Sequence, residues 1–275
     1  MGNVKLAGKA KISPFRKLAL GTWETAYDPS IYGTLRVRAD ALLDYIEKFR
    51  VKYGKKLTVT HLVAKAVGVA LKETPDANAI LRFNKIYLRK NVDVSLLVLM
   101  EHDGKKDLSA AKVDDIDTKS LQEIVTEIEA RAEKIRARKD KELEQTRQSM
   151  QLVPAFFINR FLKILSFLLY TLNLNLKWLG MPKDPFGGAI ITSIGSLGLQ
   201  TGYVPIVPYT RVPIYIAPGA ISREAVVEGD TIVIGHMLDV NVTFDHRIID
   251  GAHAADLGAA VRRVLSNPEA ELDPV

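Results

Sequence analysis

The chain has 275 residues, 47% hydrophobic and 25% charged, and no cysteine. That is the composition of an ordinary soluble globular protein, and it excludes disulfides, thiolate metal sites and cysteine nucleophiles. The net charge of +6 suits an anionic ligand or an anionic membrane, while the interleaving of basic and acidic residues, without a nucleic-acid motif, argues against nucleic acid as a partner.

Residues 1–15 lack the long apolar core of a secretory signal, and Met1-Gly2 is not followed by Ser or Thr where myristoylation prefers it. Strand and helix signals then alternate. LRVRADALLDYIEKFRVKYG predicts a strand at about 33–37 and a helix from Ala39, stopped by Gly54. LTVTHLVAKAVGVALKETPDAN predicts a second helix, with Thr58 or Thr60 as N-cap and Val63, Val67, Ala70 and Leu71 on one face. KIYLRKNVDVSLLVLM predicts a pair of strands, with Arg89, Lys90 and Asn91 as the turn or crossing. Residues 115–149 predict a long charged helix, solvated and laced with i,i+4 pairs. Ile116, Leu121, Ile124, Val125, Ile128 and Ile135 supply its spacing.

Residues 151–183 are far more apolar than their surroundings and predict a helical insertion that is apolar on every face. The uncharged run from Ile164 to Leu176 is shorter than the roughly 20 residues a spanning helix needs. Arg160, Lys163, Lys177 and Lys183 flank it, with Trp178 at one edge. Two readings stay open: packing against other subunits, and a peripheral membrane contact over 151–179.

Residues 186–275 return to strands, and GAHAADLGAAVRRVLSNPEAEL predicts a final helix. The whole predicts one α/β domain over 1–275 with a large mixed sheet flanked by helices. None of the five histidines sits in an HExxH motif, and no metal site is predicted. The informative segment is VNVTFDHRIIDGAHAADL. His246 with Asp250 and Gly251 forms HxxxDG in a strand-to-helix loop, and Asp245 precedes it. A histidine in such a loop suits a general base, since imidazole titrates near neutrality and a tight loop fixes its tautomer.

This block resembles the end of the acyltransferase component of 2-oxo acid dehydrogenase complexes and of the related chloramphenicol acetyltransferases. SPFRKLA resembles the opening segment of that family, residues 57–79 its central helix, KNVDVSLLV the next strand, and DDIDTKSLQEIVTEI the following helix. About residues 11–129 and 186–272 align in order. The resemblance implies a chloramphenicol acetyltransferase-like fold and a homotrimer or a multiple of trimers, with the site in a channel between subunits. It implies CoA or acyl-CoA as substrate, no permanently bound cofactor, and a cytoplasmic enzyme. His246 would take a proton from a thiol, and the thiolate would attack a thioester. Asp250 would pair with Arg16 and pin the loop that carries His246.

The sequence also departs from the family. Gly195 is read as standing where the family has its oxyanion-stabilising serine, with Ser193, Thr192 and Ser196 as neighbouring hydroxyls. Thr60-His61 replaces Asn-Asp, and EHDGKKDLSAAKV replaces a Gly-Leu-x-x-Pro turn. No lipoyl domain is recognisable, so a lipoyl group is expected from another chain, and other dehydrogenase-complex subunits are expected partners. The alternative function is a catalytically weak or inactive scaffold or cage-forming homologue, membrane-associated or lipid-binding through 151–179.

Overall fold

The computed structural model describes residues 2–9, 29–102, 105–137, 154, 157–179 and 181–275. The first strand, β1 (Leu6–Lys9), is followed by β2 (Ser30–Arg38) and α1 (Asp40–Tyr53). Gly54 ends α1 in the left-handed region at φ 64°, where a residue without Cβ is unstrained, and its N–H caps Arg50 O. Helix α2 (Val59–Glu73) starts at Thr58, whose hydroxyl accepts from His61 N. The predicted face of α2 is buried, and so are His61, Leu62, Ala64 and Ala66 around it. This helix therefore runs through the core and not along its surface.

Strands β3 (Ala79–Arg82) and β4 (Lys85–Arg89) form a hairpin, and β5 (Val94–His102) and β6 (Lys105–Val113) another. Of the two readings of residues 89–91, a turn or a crossing, the crossing holds, and the strands on either side do not pair with each other. β4 pairs with β1 and β3 in a three-stranded sheet, while β5 joins the main sheet. Residues 89–91 are thus a crossing between sheets. Helix α3 (Leu121–Arg136) starts six residues later than the periodicity suggested, because Ser120 and Glu123 close a capping box. Ile116 is buried outside the helix. It packs over Gly68, where even a Cβ would meet it at 2.6 Å. Residues 138–149 lie outside the described residues.

The insertion contains α4 (Ile158–Ser166) and one π turn (Phe167–Thr171). It is not apolar all round. Leu165, Leu169, Tyr170, Leu176 and Met181 pack on Val4 and Ile80 of the small sheet region, while Arg160, Lys163, Ile164 and Phe167 face outward. No described helix is long and apolar enough to cross a membrane.

The strands β7 (Ala189–Ile191), β8 (Ile214–Pro218), β9 (Ser222–Glu228) and β10 (Thr231–Asp245) complete the main sheet, with order β2-β10-β8-β7-β5-β6 and β9 paired to β10. β5, β7 and β8 run parallel and the other pairs antiparallel, so the sheet is mixed. Helices α1, α2 and α5 (Gly251–Ser266) contribute to one large apolar core on this sheet, and a short α6 (Pro268–Glu271) closes the chain.

His61 is the core's one strongly perturbed histidine among the described residues: burial lowers its pKa from 6.5 to about 4. The unfolded chain takes up a proton below about pH 6.5 that the fold refuses until about pH 4. Stability therefore falls as pH drops through that window. Against a His61→Leu variant, the wild type should lose up to about 3 kcal/mol between pH 7 and pH 4. Urea melts across that range measure it.

Candidate active site

Strand β10 pairs residue by residue with β2 from Met237 to Asp245 and with β8 from Val240 to Phe244. This double pairing sets where the strand ends. Asp245 N donates to Pro213 O at 2.9 Å, and His246 N to Pro29 O at 2.8 Å. The chain then turns: Asp245 O accepts from Ile248 N and Ile249 N, both at 2.9 Å. The buried Asp245 carboxylate grips Arg247 through two oxygens, Oδ2 to Nη2 at 2.6 Å and Oδ1 to Nε at 2.9 Å. Bidentate, charge-assisted pairs of this kind are strong and directional.

His246 is half-buried at the tip of this turn, its Nδ1 3.0 Å from Ile249 O. A carbonyl oxygen only accepts, so the neutral ring carries its proton on Nδ1 and its lone pair on Nε2. That is the tautomer a base needs. The carbonyl belongs to the motif's own third x position, a role that the residue pattern does not reveal.

Asp250 is the N-cap of α5. Its Oδ1 accepts from Ala252 N at 3.0 Å and His253 N at 3.1 Å, and lies 2.8 Å from His253 Nδ1. Gly251 is the first helical residue. Asp directly before a helix start is itself a capping signal, which the motif reading passed over. Arg16, the expected partner of Asp250, lies outside the described residues.

The hydroxyl segment sits elsewhere. Thr192 N donates to Ile216 O and Ile194 N to Pro218 O, so the segment prolongs β7 past its end. β7 runs parallel to β8, with Ile191 beside Ile216, whereas β10 runs antiparallel, with Phe244 beside Ile214. His246 and Ser193 thus leave opposite ends of β8, about six residues or roughly 20 Å apart along it. One chain does not bring them together.

Within the segment, Ser196 Oγ donates to Ser193 O at 2.8 Å, and Ser193 Oγ accepts from Ser196 N at 3.4 Å. The Ser196 hydroxyl proton is committed to the local turn, whereas the Ser193 hydroxyl only accepts there and keeps its own proton. Thr192 makes no side-chain hydrogen bond among the described residues. Gly195 has a packing role. A Cβ there would meet Gly219 O at 2.4 Å and Ala220 N at 2.8 Å, so this backbone has no room for a serine at 195. On this backbone the close approach of residues 219–220 is what requires a glycine at 195.

Residues 9–152 and 182–272 match the family described as 2-oxoacid dehydrogenases acyltransferase (catalytic domain). The chain belongs to that family. It is 26% identical over 244 residues to the dihydrolipoyllysine-residue acetyltransferase component of pyruvate dehydrogenase complex of Rickettsia prowazekii, covering 87% of this chain and 49% of that protein. It is also 26% identical over 221 residues to the corresponding component of the acetoin cleaving system of Bacillus subtilis, covering 80% and 44%. The chain spans about half the length of these relatives.

The fold is that of a probable dihydrolipoamide acetyltransferase from Listeria monocytogenes, with a TM-score of 0.64 and 22% identity over 96% of this chain and 95% of that one. The cubic core of the pyruvate dehydrogenase multienzyme complex gives a TM-score of 0.65 at 19% identity, over 96% and 95%. Residues 153–181 fall outside the family match.

Two stability outcomes follow. Gly195→Ser should cost about 1–3 kcal/mol through overpacking against the 219–220 backbone, and it should not raise activity. Asp250→Ala should cost about 1 kcal/mol through loss of the α5 cap, with Asp250→Asn retaining most of it. Denaturant midpoints of the purified variants check both.

Proposed function

We propose that this acyltransferase-family chain moves an acyl group between CoA and a thiol acceptor, with His246 as general base. The observation that carries the reading is the ring's fixed tautomer, with Nδ1 held on Ile249 O and the lone pair on Nε2. Nε2 takes the proton from the acceptor thiol, and the thiolate sulfur attacks the thioester carbonyl carbon. The carbonyl π pair becomes an oxyanion. When the oxyanion collapses, the carbon–sulfur bond to CoA breaks and the CoA thiolate recovers the proton from Nε2. The reverse direction uses the same steps. Thiolate is the reactive form of sulfur, so an imidazole held in one tautomer is well matched to the task. The relatives' names point to a dihydrolipoyl group on another chain as acceptor, in a dehydrogenase complex.

For the oxyanion we assign the Thr192 hydroxyl, which makes no side-chain hydrogen bond among the described residues; the Ser196 proton is taken by Ser193 O, and Ser193 Oγ, which only accepts in its turn, is the second donor within the segment. The separation of His246 from Thr192 within one chain supports a site completed between subunits, as in a trimer. Asp250 supports the base indirectly by starting α5, and Asp245 does so through Arg247.

His246→Ala should abolish acyl transfer from acyl-CoA with the melting temperature retained, and Thr192→Val should lower kcat about a hundred- to thousandfold. If neither chain alone is active, co-assembly of the two in equal amounts should restore about a quarter of the wild-type sites, since some interfaces then join an intact His246 to an intact Thr192. Absence of restoration would sink the shared site. Undiminished transfer by His246→Ala would sink the base, and a wild type inert with every acyl-CoA would favour the scaffold alternative.

A further inference from the structure

We propose that the insertion is a docking surface for an anionic phospholipid bilayer, with α4 lying in the plane of the membrane. Docking of this kind rests on the insertion's own residues, whatever reaction His246 serves. The inner side of α4 and its π turn is committed to the protein: Phe161, Leu165, Leu168 and Leu169 pack with Val4, Ile80 and Tyr87. The outer side presents Phe157, Arg160, Lys163, Ile164 and Phe167, all exposed and repeating at helical spacing. Phe83, from the turn between β3 and β4, extends this side: its ring meets Phe167 edge-on at 6.3 Å and it is 61% exposed. Beyond the π turn the chain continues with exposed Leu172 and Leu174 and with Trp178, which is 79% exposed.

Charge selects the occupant. Between Phe157 and Lys183 there are four cations and not one Asp or Glu. A second copy of this face, in a self-complementary contact, would set cations against cations. The stretch also lies outside the residues that the family model matches. An anionic headgroup layer answers both halves of the surface at once. Headgroups neutralise Arg160 and Lys163, Phe157, Ile164 and Phe167 enter the acyl boundary, and Trp178 sits at headgroup depth. Residues 158–171 make a rod of about 20 Å, suited to lying flat and too short to span.

The insertion lies at the His246 end of the main sheet. Ser166 Oγ accepts from Arg211 Nε at 3.0 Å, and Arg211 immediately precedes the 212–213 segment that receives Asp245 N. A docked protein would hold its motif turn close to the lipid.

The test is co-sedimentation of the intact protein with vesicles of phosphatidylcholine alone and with phosphatidylglycerol added, at low and high salt. Each cation near an anionic surface strengthens binding about fivefold. Wild type should therefore bind the anionic vesicles, release them in high salt, and bind neutral ones at least about tenfold more weakly. The charge variant Arg160→Glu with Lys163→Glu should lose at least about tenfold on anionic vesicles. The apolar variant Ile164→Ser with Phe167→Ser should lose a similar factor. Both alter exposed side chains, and melting temperature checks their folding; if one misfolds, the other still decides. No wild-type binding to anionic vesicles at low salt overturns the proposal, as does wild-type-like binding by a folded variant. A fall in solution mass in either variant, without vesicle binding by wild type, would assign the face to contact between copies instead.

Discussion

The Asp245–Arg247 grip and the Ile249 carbonyl on His246 are what the candidate site depends on. Each takes its geometry from β10, a strand of fifteen residues that pairs with β2, β8 and β9. Because β10 is registered on both sides up to Phe244, its end has little freedom. The turn that follows is short and internally bonded, and Ile248 and Ile249 are buried beneath it. A base has to sit within about half an ångström of its productive position, and loops seldom give that precision unaided. Here a strand end, a buried ion pair and a helix cap supply it together.

The same pairing imposes a separation. A strand antiparallel to its neighbour delivers its following loop where that neighbour begins, and a parallel strand delivers its loop where the neighbour ends. β10 and β7 stand in these two relations to β8. No rotamer change moves His246 to Thr192, because the distance is set by the length of β8 and not by side chains. Chemistry that uses both groups therefore requires symmetry between chains. Gly195 fits this picture as part of the scaffold for the Thr192 segment: its contact with Gly219, and that of Gly219 with Gln200 O, press two loops together at the far end of the sheet.

Local rules were legible where local physics decides. The stop of α1 at Gly54 follows from a positive φ, the start of α2 at Thr58 from a cap, and the HxxxDG histidine lies between a strand and a helix as its flanks suggested. What local rules missed shares a cause in tertiary context. Residues 85–102 hold the two expected strands with a crossing at 89–91, but the partner of β4 is β1, about eighty residues earlier in the chain, which no local pattern reveals. Ile116 matched the period of α3 but is buried by fitting over Gly68, outside the helix. The insertion seemed apolar all round because composition hides direction. With Leu165 and Leu169 turned to the small sheet, Arg160 and Ile164 must face out. At Gly195 the sequence could show only a departure from the family's motif, while the contact that requires a glycine on this backbone lies 24 residues away at Gly219.

Arg211 is where the insertion and the motif turn become one mechanical unit. Its backbone is left-handed at φ 57°, a conformation that costs a non-glycine residue about 1 kcal/mol or more and persists only where surrounding contacts hold it. Burial pushes its pKa down, and the neighbouring Arg247 pushes the same way. A guanidinium nevertheless keeps its charge, so two cations lie near one another here and need an anion nearby. Asp245 is an anion near both: it binds Arg247 through both oxygens, and its charge raises the pKa of Arg211. Ser166 of α4 holds the Nε of the same arginine. Any displacement of α4 thus moves Arg211 in the field of the carboxylate that stiffens the His246 turn. The insertion, outside the family match, is fastened to the part of the fold that carries the HxxxDG turn.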